Sequence, residues 1–336
     1  MPLTDQFIEP PRSRRWSWWG IVLLTFMALV VLVIAGAAGL LWYVSQDLPS
    51  LDSLTQYQPS LVSRVYSDDR QLIGQFYVER RILTPLSEVP QELTHAVVAV
   101  EDARFFEHPG LDVIGIVRAV WTNLRRGGKV EGASTITQQL TRSLFLSSER
   151  TYGRKFKELI LAYKIELILN KEQILEMYLN QIYFGQGAYG VAAAAQTYFG
   201  KSLSELTLAE AALLAGLPKS PNNYSPYKNM DRARKRQEHV LARMEEAGFI
   251  NAASRQEAVA QPLTFRHIGS EQVAPYFMEY VRQQLVAKYG EAVVYKGGLE
   301  VFTTLNLQMQ KAAEKAVRNG LRQLDKRQGW RGPLRA

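Results

Sequence analysis

Cysteine is absent from all 336 residues, which excludes disulfide staples and zinc held through thiolates and leaves the redox compartment open. Low-complexity tracts are missing too, as is any self-similarity at a solenoid period. Disorder and repeat architectures therefore explain the chain poorly, and most of it should fold. The formal charge of +8 invites a nucleic-acid reading, yet neither an RNP-like aromatic motif nor a zinc-finger spacing accompanies it. Between Lys311 and Arg335 only Glu314 and Asp325 oppose a run of lysines and arginines. A solvated helix face or contact with an anionic membrane accounts for that tail, and no nucleic acid is expected as a partner.

One long hydrophobic run is present, and no later segment is apolar for long enough to return across a membrane. Residues 21–44 carry no charge, and roughly 24 residues at a 1.5 Å rise cross a hydrocarbon core of ~30 Å. Arg12, Arg14 and Arg15 precede the run, Asp47 is the first charge after it, and Trp16, Trp18, Trp19, Trp42 and Tyr43 stand where interfacial aromatics belong. The pattern predicts a cytoplasmic tail over 1–18 and a single-pass anchor over 19–44. The remainder would lie on the outer or periplasmic face of the cytoplasmic (inner) membrane. Ala35-Gly36-Ala37 resembles a signal-peptide cleavage site, but the apolar run is longer than an h-region and continues beyond it, which favours an uncleaved anchor.

After the anchor, Pro49 and Pro59 among serine, aspartate and glutamine mark a stalk over 45–60. Residues 61–66 and 71–77 are β-rich around Ser67-Asp68-Asp69-Arg70 and read as a small hairpin. From about residue 91 the pattern turns helical. Val113, Ile114, Val117, Val120, Trp121 and Leu124 recur at helical spacing as far as Gly127-Gly128. Further helices are expected over 152–170, 171–183 and 207–217, the last opened by a Thr207/Glu210 capping box, and another runs from Asp231 to near Gly248. The prediction is a mainly α catalytic domain over 61–250 and a linker over 251–298. Over 299–336 a strand and a helix would begin a further α/β region.

Three polar segments carry the chemistry. Glu101-Asp102 follows the apolar run 96–100 and stands near a turn. A carboxylate at the end of a buried element is partly desolvated, which suits a general base. Taken alone, a cap or dipole partner at a helix end is the simpler reading of this pair, and His108 alone reads as a hydrogen-bonded core histidine. The second segment, from Gly132 through Ser134, Thr135, Thr137, Gln138 and Gln139 to Arg142, crowds uncharged donors into a short stretch. Such donors suit sugar hydroxyls or phosphate oxygens, or equally an N-cap followed by a polar helix face. The third sets Arg154 and Lys155 four and three residues before Glu158, with Arg150 one turn earlier. As a surface ion pair it would contribute only about 0–1 kcal/mol, whereas two or three cations beside one carboxylate can hold a diphosphate.

In this order the segments resemble the motifs of the family-51 glycosyltransferase domain of class A, bifunctional penicillin-binding proteins. Glu101, Asp102, Phe105, His108 and Gly110 meet the first motif, Glu-Asp-x-x-Phe-x-x-His-x-Gly. Gly132, Ser134, Thr135, Ile136, Thr137, Gln138 and Gln139 meet the second, and Arg154, Lys155 and Glu158 meet the third, Arg-Lys-x-x-Glu. Residues 174–180 with Gly185 resemble the fourth, and 209–211 through Pro221, Tyr224 and Pro226 the fifth. The resemblance covers about residues 66–227. Ser143 departs from it, standing after Arg142 where the family commonly has asparagine, so no contact is carried over for that position.

The resemblance implies a lysozyme-like, mainly α-helical fold behind the anchor. It also implies a peptidoglycan glycosyltransferase that extends a lipid-linked glycan from lipid II through inverted β-1,4 links, releasing undecaprenyl diphosphate in cell wall synthesis. Glu101 would be the general base and Glu158 a second catalytic carboxylate among cations. Asp102, Phe105, His108, Ser134, Thr135, Gln138, Gln139, Arg142, Arg150, Arg154, Lys155 and Asn180 would bind substrate, while Glu176 and Glu210 read as structural charges. The helix over 113–124 reads either as a membrane-facing guide for the lipid tail or as an ordinary core helix. Expected partners are lipid II, the growing glycan, membrane lipids and cell wall synthesis proteins. No residue is assigned to a metal, although a divalent cation, magnesium or manganese, is compatible with a diphosphate.

Two rival readings stand beside this one. A muramidase or lytic transglycosylase shares the carboxylate chemistry, but the cation cluster and the anchor favour transfer from a diphosphate. A non-catalytic membrane scaffold for wall synthesis fits poorly with three intact polar motifs. Residues 299–324 resemble the opening strand and helix of the family's transpeptidase domain, so the chain reads as part of a longer protein. Transpeptidase activity is not expected of this stretch. Ser225-Pro226-Tyr227-Lys228 meets SxxK by letters alone, among turn signals, and the sequence has no KTG element.

Overall fold

The computed structural model describes residues 18–46, 60–126, 134–146, 151–266 and 273–329. Helix α1 (Trp18–Gln46) has 29 residues, bears no charge and contains the span expected over 19–44. Its side chains are described without a break only from Trp18 to Val33. Among the residues whose side chains are described, no helical stretch is long and apolar enough to cross a membrane. Residues 1–17 of the tail and 47–59 of the stalk lie outside the described residues.

The chain then runs through β1 (Ser63–Tyr66), β2 (Leu72–Phe76), β3 (Arg80–Arg81), α2 (Gln91–Glu101), α3 (Val113–Arg126), α4 (Ile136–Phe145), α5 (Tyr152–Ile168) and α6 (Lys171–Gln181). Next come β4 (Tyr183–Gly185), β5 (Ala188–Tyr189), α7 (Val191–Tyr198), α8 (Leu208–Gly216), α9 (Met230–Glu246) and α10 (Ala252–Ala260). Side-chain caps fix where helices begin. Thr135, Thr151, Asn170, Thr207, Asn229 and Asn251 each accept the backbone N–H three residues on, satisfying a donor that the first helical turn leaves open. Helix α8 is buried throughout from Ala209 to Gly216, as a helix apolar around its circumference must be, and it packs against α2 and α9. Leu93, Val97, Ile174, Leu179, Leu213 and Val240 share the resulting core, which makes the domain mainly α as expected.

A second, smaller core departs from the expected plan. The hairpin β1–β2 forms, but β1 also pairs in parallel with β6 (Glu300–Phe302), giving the order β2-β1-β6. Val65, Ile73 and Phe76 are buried there against α11 (Pro275–Tyr289) and with Val294 of α12 (Glu291–Lys296). The stretch expected as a linker over 251–298 therefore contains three helices. The hairpin packs with the segment after residue 272, not with the helical core. That pairing joins residues far apart in the chain, which no local pattern announces. Helix α13 (Leu307–Arg327) follows, capped by Asn306, with none of its residues buried.

Candidate active site

Helix α2 buries Leu93, Ala96, Val97, Val98 and Ala99 and stops at Glu101, because Asp102 leaves helical backbone at φ −160°, ψ 75°. Asp102 is buried. Its Oδ2 accepts the Ile136 N–H at the start of α4 at 3.0 Å, where open backbone donors and the helix dipole favour a carboxylate. His108 Nε2 lies 3.0 and 3.1 Å from the two Asp102 oxygens. Thr135 caps α4 through the Gln138 N–H and donates its hydroxyl to Gly110 O at 2.7 Å. Gly110 has φ +81°, and a Cβ there would press within 3.1 Å of Ala162 O, so this loop needs glycine on both counts. Phe105 is fully buried, edge-on to Phe106 and beneath Lys171 Nζ at 4.4 Å from the ring centre. Asp102, Phe105, His108 and Thr135 thus form the wall that joins the first two motifs.

Consecutive residues of α4 reach Glu101 and the lysine that pairs with Glu158. Gln139 donates from Nε2 to Glu101 Oε2 at 2.7 Å, and Gln138 Oε1 accepts from Lys155 Nζ at 2.9 Å. Lys155 also donates to Ser134 Oγ at 3.0 Å and pairs with Glu158 Oε1, while Arg154 Nη1 meets Glu158 Oε2 at 2.9 Å. The Glu158 side chain is 1 % exposed and that of Lys155 40 %, so the carboxylate is sealed while its cation reaches water. Glu101 differs. Its Oε1 accepts no hydrogen bond among the described residues and lies 3.8 Å from Arg236 Nη2. Tyr178 donates its hydroxyl to Gln139 Oε1 at 3.3 Å. Burial and the nearby Glu101 charge raise the Tyr178 pKa well above its ordinary value, so this hydroxyl remains a donor. Exposed Arg142, also on α4, lies near enough for its charge to oppose that rise. The arrangement offers an unbonded carboxylate oxygen at one end of a helical turn and a lysine-arginine pair at the other. It can deprotonate a hydroxyl and carry an anionic leaving group.

The sequence model of the family described as Transglycosylase matches residues 69–245, more than half of the chain. The chain belongs to the transglycosylase family. It is similar to penicillin-binding protein 1A of Rickettsia typhi, 42% identical over 315 residues that cover 92% of this chain and 40% of that protein. Penicillin-binding protein 1A of Neisseria lactamica is 49% identical over 287 residues, covering 85% and 36%. The crystal structure of penicillin-binding protein 1A from Haemophilus influenzae superposes with a TM-score of 0.50 at 34% identity, over 83% of this chain and 32% of that one. The chain spans about two fifths of the length of the curated relatives it matches.

Other expected residues of this transglycosylase site are placed differently or not at all. Arg150 and Gly132 lie outside the described residues. Asn180 turns to the backbone, accepting the Thr84 N–H at 2.9 Å and donating to Thr84 O and Glu176 O, so its amide serves the fold. Glu176 accepts the Leu86 N–H, and Glu210 holds Lys201. Ser225 is buried among turns. Sequence reasoning missed Arg236, Lys171 and Glu166. Lys171 donates to His108 O at 2.6 Å and to Glu166 Oε1 at 2.8 Å, and Glu166 also accepts from Thr137 Oγ1 at 2.5 Å. A signal for Arg236 existed: with Gln237 it interrupts the buried stripe Ala233, Val240, Leu241, Met244 of α9, a polar pair at core positions. A divalent ion held by the protein alone does not fit the donor set. Both Glu158 oxygens are taken by cations, and among the described residues no three acidic or histidine side chains converge.

Proposed function

We propose that this transglycosylase domain polymerises lipid II into β-1,4-linked glycan in cell wall synthesis. The observation that carries the reading is the adjacency of Gln138 and Gln139, one accepting from Lys155, the partner of Glu158, and the other donating to Glu101. Glu101 Oε1 takes the proton of the acceptor's 4-hydroxyl as that oxygen attacks the donor's anomeric carbon. The bond from that carbon to the diphosphate breaks with its electron pair on the diphosphate, and the centre inverts. Arg154 and Lys155 offset the charge that develops on the leaving group, with Ser134 and Gln138 holding Lys155 in place. Because diphosphate departs as an anion, no strong general acid is required, which agrees with a Glu158 occupied by cations.

The membrane supplies the setting for this reading. The uncharged run over 19–44 anchors the chain, and α3 turns Val113, Ile114, Val117, Trp121 and Leu124 outward, a face suited to lipid. The decisive experiment incubates the protein in detergent with labelled lipid II and separates the products by gel. Glycan ladders are expected, and Glu101→Gln should lower the rate by roughly 10²–10⁴-fold while lipid II binding survives. Soluble muropeptides released from sacculi in place of ladders would assign the domain to hydrolysis instead.

A further inference from the structure

Arg236 is buried in α9, a place where a cation is costly unless it meets an anion. Three contacts fix it. Its Nε donates to Gly216 O at 3.2 Å, its guanidinium lies 5.7 Å over the Tyr224 ring, and Nη2 stands 3.8 Å from Glu101 Oε1. Gly216 is part of the fitting, since a Cβ there would come within 2.9 Å of Arg236 Cγ. The oxygen that Arg236 faces is the one that Gln139 leaves unbonded.

We propose that Arg236 is a positioning residue for Glu101, its guanidinium orienting Oε1 for the acceptor hydroxyl. The inference rests on the reading of Glu101 as general base. The groups around Glu101 leave this task to Arg236. Helix α8 contributes a carbonyl, its one titratable side chain, Glu210, being paired with Lys201. Helix α6 contributes the Tyr178 hydroxyl through Gln139, and α4 contributes Arg142, exposed and acting near Tyr178. Asp102, next in the chain, is engaged by His108 and the Ile136 N–H. Burial lowers the Arg236 pKa and the Glu101 charge works against that fall.

The test is the steady-state kinetics of lipid II polymerisation by the full chain, with thermal unfolding as a check on folding, for wild type, Glu101→Gln, Arg236→Gln, Arg236→Lys and Gly216→Ala. In Arg236→Gln the maximal rate should fall roughly 10-fold with little change in KM, as for an interaction felt mainly in the transition state. Arg236→Lys should restore most of the rate, and Gly216→Ala should lower it as Arg236→Gln does. Should Arg236→Gln not fold, the Lys and Gly216→Ala rates decide. A folded Arg236→Gln or Gly216→Ala with the wild-type maximal rate, beside an inactive Glu101→Gln, overturns this proposal alone. A fully active Glu101→Gln removes the base assignment and the proposal with it.

Discussion

Glu158 has cations on both oxygens, whereas Glu101 has an amide on one and a guanidinium facing the other. The same side chain is therefore paired on both oxygens at one position and left with an oxygen free of hydrogen bonds at the other, and substitutions should separate the two. Glu158→Gln removes the counter-charge of Arg154 and Lys155. Breaking a buried pair commonly costs 3–5 kcal/mol, but Lys155 is 40 % exposed and water can take over part of the loss, so about 1–3 kcal/mol is expected in chemical unfolding. Its kinetic defect should fall on donor affinity, with KM raised by about tenfold, because two cations that no longer share a fixed anion are poorly placed for a diphosphate. Steady-state kinetics beside Glu101→Gln checks this. An equal loss of kcat alone in both variants would contradict the division of roles. Glu101 was legible as charge directly after an apolar run, and Glu158 through its spacing to Arg154 and Lys155 and the motif that these residues resemble. Lys171 was not, since it looks locally like any basic residue on a helix surface, and Arg236 left only a polar position in the apolar stripe of α9.

At the scale of elements, α3 is the case where periodicity left two answers. Apolar residues at helical spacing fit a core helix and a membrane-facing helix equally well, because both need one continuous stripe. Packing decides between these. Val117 is 64 % exposed and Val113, Ile114, Trp121 and Leu124 are exposed with it, so the stripe has no protein partner among the described residues. Val117→Asp should leave thermal unfolding unchanged, yet lower polymerisation of lipid II in vesicles by about tenfold, the equivalent of losing the ~1.5 kcal/mol from burying one such side chain. An unchanged rate in vesicles would remove the membrane role of this face. Helix starts, by contrast, were legible: Thr207 with Glu210 forms the expected capping box, and Thr135 caps a helix inside the second motif.

For the whole molecule, two cores follow the uncharged run. The small β2-β1-β6 unit begins just after the stalk and is completed by segments from beyond the helical core, so the chain leaves and re-enters it. If the run over 19–44 is the anchor, both units lie on the side opposite Arg12, Arg14 and Arg15. Protease added to spheroplasts should then cut within residues 61–250 and leave the tail before residue 19 protected. Protection of the catalytic region would reverse the orientation.

The sequence by itself determined the helical class and the positions of most helix ends, and its motif resemblance singled out the two glutamates and the polar segments around them. The helical features rest on interactions within a few residues, apolar spacing and capping side chains. Tertiary structure alone decided the rest. It brought Arg236 to Glu101 from more than a hundred residues away, tied the Asn180 amide to the Thr84 backbone, and joined β1 to β6. Those outcomes depend on how α2, α8 and α9 pack and on strand pairing between the ends of the described chain, and neither leaves a period or a cap in the sequence to read.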